Sequence, residues 1–121
     1  MFFKSNGHKE RFVQAIQGKI DNGYLDTEYG SALYILTSEV FLWKRASTYM
    51  TRNGLDLEAM IKEIALSSGY LTLVKLAGNL FNSRLYVDPV DFMGLDQANF
   101  RVALTALEIR YKSPYMTEVT Q

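Results

Sequence analysis

The stretch GYLTLVKLAGNLFNS, residues 69–83, decides how this chain is read. At about 100° per residue, Ser68, Thr72, Lys75, Asn79 and Asn82 gather on a single helical arc of about 80°. Tyr70, Leu71, Leu73, Val74, Leu76, Ala77, Leu80 and Phe81 fill the remainder. A helix apolar over so wide a sweep needs neighbours on most sides. Residues 69–83 are therefore expected to be the central helix of an all-α bundle.

Working outward, punctuation marks further helices on both sides. Ser5 or Asn6 caps a helix that runs to about Gln17, with Gly18 as its stop. The segment KIDNGYLD reads as a loop turning at Asn22-Gly23. Asp26 or Thr27 then caps EYGSALYILT, which is apolar nearly all round and so buried. Ser38 reads as a fresh cap for a helix from Glu39 to Thr51, ended by Asn53-Gly54, and Asp56 as the cap of LEAMIKEIA. Asp88-Pro89 signals a short turn. Asp96 opens the last helix, in which Arg101, Thr105, Glu108 and Lys112 share a solvated arc of about 60°. The whole reads as one domain, residues 1–121, of five or six helices with short connections. Strand pairing is expected to be minor, near Met1–Lys4 or Leu85–Val87, and residues 114–121 are expected to form a flexible tail.

Composition narrows the function. Seven phenylalanines, eight tyrosines and one tryptophan supply ample core for 121 residues, so no covalent staple is needed. The absence of cysteine removes disulfides, thiol catalysis and thiolate metal sites, and fits a cytoplasmic setting. MFFKSNGHKE turns polar after two phenylalanines, unlike a signal peptide, and no stretch approaches a membrane span. Thirteen basic residues balance thirteen acidic ones without forming a stripe, which disfavours nucleic acid as a partner.

Catalytic patterns do not emerge. There is no glycine-rich phosphate loop and no nucleophile–base spacing, and His8 is the only histidine. His8 lies three residues after Ser5, where it reads as a first-turn residue rather than a base or a metal ligand. On that reading His8→Asn costs no more than about 1 kcal/mol, the scale of a lost cap contact. No metal or cofactor is expected.

Three groups of residues are candidates for binding. Thr72, Lys75, Asn79 and Asn82 could line a polar groove for a small molecule or nucleotide. Phe41, Lys44 and Arg45, in FLWKR, could present an aromatic ring flanked by two cations to a partner protein. On that reading Trp43, Val40, Ser47 and Met50 share the opposite face. Arg110, on the apolar side of the last helix beside Ala103, Ala106 and Leu107, could bind an anion. Its plainer role is to reach the final carbonyls of its own helix.

The order FKSNGHKERF, ALYIL, LAGNLFNS and FRVALTALEIRY resembles a family of small uncharacterised proteins of Gram-positive bacteria, their prophages and mobile elements. The resemblance spans residues 3–111 and picks out His8, Phe12, Tyr34, Asn79, Asn82, Arg110 and Tyr111 as positions matching the family pattern. EIALSSGYL departs from a glycine- and tryptophan-rich loop there, and Phe81 stands where a tryptophan is usual. The resemblance implies an all-helical fold and a mobile-element setting, and no activity.

The leading expectation is a non-enzymatic protein of a phage, prophage or mobile element that acts on an unidentified host or phage protein. A small-molecule or nucleotide-binding domain is the alternative, and an accessory DNA-binding regulator a weaker one. A homodimer is compatible with the sequence.

Overall fold

Short polar side chains set where the helices begin. A computed structural model of the chain describes residues 1–116. Helix α1 spans Asn6–Ala15, and the Ser5 hydroxyl accepts the His8 backbone N–H at 3.0 Å. Asp26 caps α2 (Thr27–Leu36) by accepting from the Tyr29 amide. Asp56 caps α4 (Leu57–Glu63), Ser67 caps α5 (Ser68–Asn82), and Asp96 caps α6 (Gln97–Tyr111) in the same way. Each carboxylate or hydroxyl satisfies an amide that has no partner inside its helix.

Helix α3 (Val40–Ala46) is the exception. Glu39 precedes it without a side-chain cap, and the Ser38 hydroxyl donates instead to the Ile35 carbonyl. Ser38 thus closes α2 rather than opening α3. The helix expected to reach Thr51 ends at Ala46, gives way to a 3₁₀ turn at Ser47–Tyr49, and then becomes extended.

The extended residues belong to hairpins at places where loops are expected. Strand β1 (Ile20–Asp21) pairs antiparallel with β2 (Tyr24–Leu25), and β3 (Met50–Thr51) with β4 (Gly54–Leu55). The pairs lie elsewhere than Met1–Lys4 and Leu85–Val87. In the first, Asn22 and Gly23 both take positive φ, 51° and 85°, the conformation a tight two-residue hairpin requires. Both hairpins deliver an aspartate to a helix start. The Asp26 amide donates to the Lys19 carbonyl, and the Asp56 amide to the Tyr49 carbonyl. NGYLD and NGLD are one device used twice: a turn, a returning strand and a cap.

The helices enclose one core, and the all-α reading holds. Its most enclosed element is α2, however, not residues 69–83. Every residue from Gly30 to Ser38 is buried, because α2 packs along α5 and α6 and also meets α1 and α3. Helix α5 keeps Tyr70, Leu71, Thr72, Lys75 and Asn79 partly exposed. The reason lies in the charges. After Glu28, α2 carries none, whereas α5 has a polar edge that water must reach.

Two further expectations change. On α6 the Thr105 end of the solvated arc is buried, and the Arg101 guanidinium lies 4.4 Å from the Phe2 ring centroid, so the N-terminal residues partly cover that arc. Residues 114–116 are docked rather than loose. The Leu25 amide donates to the Pro114 carbonyl, the Met116 amide to the Gly23 carbonyl, and Tyr115 sets its ring edge-on against Tyr24. Residues 117–121 of the expected tail lie outside the described residues. No helix among the described residues is long and apolar enough to cross a membrane.

Candidate functional site

The three candidate groups part company in the structure. On α5, the Asn79 side-chain amide donates to the Leu85 carbonyl at 2.9 Å. It thereby holds the chain that leaves the helix, while Leu85 packs over Gly78 so closely that a methyl there would lie 2.5 Å from its Cδ1. Asn82 accepts from the Arg84 amide in the following turn, and Thr72 donates to the Ser68 carbonyl of its own helix. Asn82 borders a cleft of about 250 Å³ with Asn53, Asp56 and Arg84, on the far side of that turn. The stripe is present as a helical edge, but its central amide is already committed.

That commitment makes a prediction. Asn79→Ala should cost about 1–2 kcal/mol, the range for losing one hydrogen bond and stranding a half-buried carbonyl. A urea melt reads it. An unchanged melt combined with lost binding of a small ligand would instead return Asn79 to a polar groove.

Arg110 reaches carbonyls, as expected of a basic residue near a helix end, but those of another helix. Its Nε donates to the Leu80 carbonyl at 2.9 Å, one of the last carbonyls of α5, which have no partner within the helix. Nη1 meets the Thr27 hydroxyl at 3.4 Å. Arg11 does the same for α2, its Nε donating to the Thr37 carbonyl at 2.8 Å. Two arginines therefore cap the ends of neighbouring helices, where their charge also favours the negative end of the dipole. Arg110 is a brace.

His8 is fully enclosed, against the first-turn expectation of an easily replaced residue. The Lys4 backbone N–H donates to Nδ1 at 3.0 Å, which leaves the ring proton on Nε2 to donate to the Tyr34 carbonyl at 2.8 Å. Phe3 meets the ring edge-on, and Tyr34 lies 4.7 Å away, its hydroxyl donating to the Phe2 carbonyl. Burial, helped by the nearby Arg11 and Lys4 charges and opposed by the Tyr34 carbonyl and Glu39, lowers its pKa from 6.5 to about 4. Both nitrogens are occupied, so the ring has none to offer a metal or substrate. Burial likewise pushes the Tyr34 hydroxyl well above its ordinary range.

The seven positions that the resemblance picks out sort accordingly. His8, Phe12 and Tyr34 form one buried aromatic cluster, Asn79 and Arg110 are braces, Asn82 belongs to a turn, and Tyr111 alone stands far out in solvent. No family model, curated protein or solved structure matches the chain.

Phe41, Lys44 and Arg45 do come together. Leu42 and Ala46 anchor α3 in the core, which turns Val40, Phe41, Lys44, Arg45, Ser47 and Thr48 outward on one continuous arc. Val40 is 63 % exposed, so it joins Phe41 instead of facing away with Trp43, which is half-buried, as does Ser47. The Phe41 ring stacks on Tyr70 of α5 at 5.8 Å and 15° between planes, and the Arg45 guanidinium sits 5.5 Å from the Phe41 centroid. Nothing in the sequence pairs α3 with the start of α5, so only the fold makes Tyr70 part of this face. The result is an ordered apolar surface with a cationic border.

Proposed function

We propose that the protein is a non-enzymatic, cytoplasmic interaction protein of a phage, prophage or mobile element, and that it holds a host or phage protein through the exposed face of α3. The genomic setting in this reading rests on the family resemblance alone. The contact rests on one observation: Phe41, stacked on Tyr70 and bordered by Arg45, is held in place while remaining open to solvent. Aromatic residues and arginine dominate the energetics of protein interfaces, and a ring already fixed in position loses little freedom on binding. Val40 and Lys44 extend the same face into an apolar centre with a polar rim, the usual anatomy of such contacts. The alternative, a small-molecule or nucleotide site on the α5 stripe, keeps Lys75 but has lost Asn79 to Leu85. A DNA-binding role finds no basic stripe in a chain whose charges balance.

The test is affinity capture with the full chain, beside the Phe41→Ala and Arg45→Glu variants. A protein retained by the wild type and lost by both variants, with unchanged thermal melts, is the expected result. In parallel, a mobility-shift series with random duplex DNA at about 150 mM salt should show no complex. A salt-sensitive complex there, or capture indifferent to both substitutions, would end the reading.

A further inference from the structure

Helix α6 is apolar on two opposite sides. Val102, Ala106 and Ile109 face the core. Directly opposite, Phe100, Leu104, Leu107 and Tyr111 fall within about 60° of arc, at the i, i+4, i+7, i+11 spacing of a helix-pairing seam. Leu104 is 42 %, Leu107 37 % and Tyr111 91 % exposed, and Phe100 is only partly covered. Nothing in the core requires four apolar residues in this row. The 3₁₀ segment Pro89–Gly94, which packs on α6, adds the exposed Val90 and Met93 nearby.

The charges along the stripe point to its occupant. Arg101 and Glu108 lie on the same edge, two helical turns apart and so too distant to pair within one helix; both are exposed, Arg101 with the Phe2 ring against one side of its guanidinium. We infer that this face binds a second copy of the chain, with the two α6 helices antiparallel about a two-fold axis passing between Thr105 and Ala106. In that register Leu104 meets Leu107 of the second copy, and Phe100 meets Tyr111. Antiparallel helices bring like edges together, so Arg101 comes within two residues, about 3 Å along the axis, of Glu108 of the second copy. The symmetry repeats the pair, giving two reciprocal salt bridges. A parallel arrangement would join opposite edges, and no carboxylate of α6 would then lie across from Arg101. The stripe is thus complementary to itself in one orientation, which an isologous interface demands. One helix face is smaller than the roughly 800 Å² per partner of a standard stable interface, so the dimer is weak and depends on concentration. The contact is separate from the α3 face and does not rest on it.

Sedimentation equilibrium of the full chain from about 1 to 500 µM tests the inference, since a dimer of micromolar affinity crosses over within that range. The mass should rise from 13.8 kDa toward twice that value. Leu104→Asp should keep the chain monomeric throughout with an unchanged melt, because Leu104 is exposed. Arg101→Glu alone and Glu108→Arg alone should each weaken the dimer by about tenfold or more, as like charges then face each other. The double variant should restore it. A chain that stays monomeric at every concentration would overturn the inference and leave the stripe to another occupant. So would a dimer that survives Leu104→Asp, and failure of the double variant to recover would reject the antiparallel register.

Discussion

Acidification from pH 7 to pH 4 should remove about 3 kcal/mol of stability through His8 alone, at about 1.4 kcal/mol per unit of pKa difference. The direction follows from proton uptake. In the unfolded chain His8 titrates near 6.5, whereas the fold holds it down at about 4. Between those values the unfolded state binds a proton that the native state refuses, so stability falls as pH falls, and below about 4 both forms are charged and this loss stops. A protonated ring would also have to turn an N–H toward the Lys4 amide, which is itself a donor. Urea melts from pH 7 to 4.5 measure the slope, and His8→Asn supplies the control. That variant should flatten the histidine part of the slope and cost about 2–4 kcal/mol at pH 7, since it strands buried groups and leaves space between Phe3 and Tyr34. A domain stabilised by roughly 5–15 kcal/mol survives that loss. A melt unchanged within about 1 kcal/mol would restore the simple first-turn reading. Stability level from pH 7 to 5 in the wild type would refute the buried neutral ring.

The second large effect separates α2 from α5. Leu33→Ala, at a fully enclosed position of α2, should cost about 2–5 kcal/mol, because its neighbours on every side belong to packed helices and cannot close the void. Leu71→Ala, on the partly exposed side of α5, should cost about 1 kcal/mol or less. Denaturant midpoints at constant slope measure both. Equal costs would mean that α5 is as enclosed as α2, and that the centre of the bundle is shared between them.

Much of the fold was legible because it is local chemistry. Ser5, Asp26, Asp56 and Asp96 each cap the helix that follows, since a short side-chain acceptor and a free amide three residues on need nothing distant. The hairpins were legible only as turns. Asn22-Gly23 announces a reversal, but whether two flanking residues pair depends on what lies over them, here Pro114 and Met116 from the far end of the chain. The site is less legible. FLWKR stood out by composition, while Tyr70 beneath Phe41 did not. The apolar row on α6 has a readable spacing, but charged residues flank it along the helix.

What the sequence by itself determined is the helical periodicity, the caps and the lack of cysteine and of a basic stripe, all properties of neighbours along the chain. Tertiary structure alone decided which polar groups are spent. His8, Asn79 and Arg110 look like free chemistry in one dimension. In three, each is bound to a backbone group outside its own helix: Tyr34, Leu85 and Leu80. The physical reason is that helix ends, and the loops leaving them, expose carbonyls the helix cannot satisfy itself. A buried carbonyl must find a donor, and which side chain supplies it depends on packing distances that no spacing along the chain encodes.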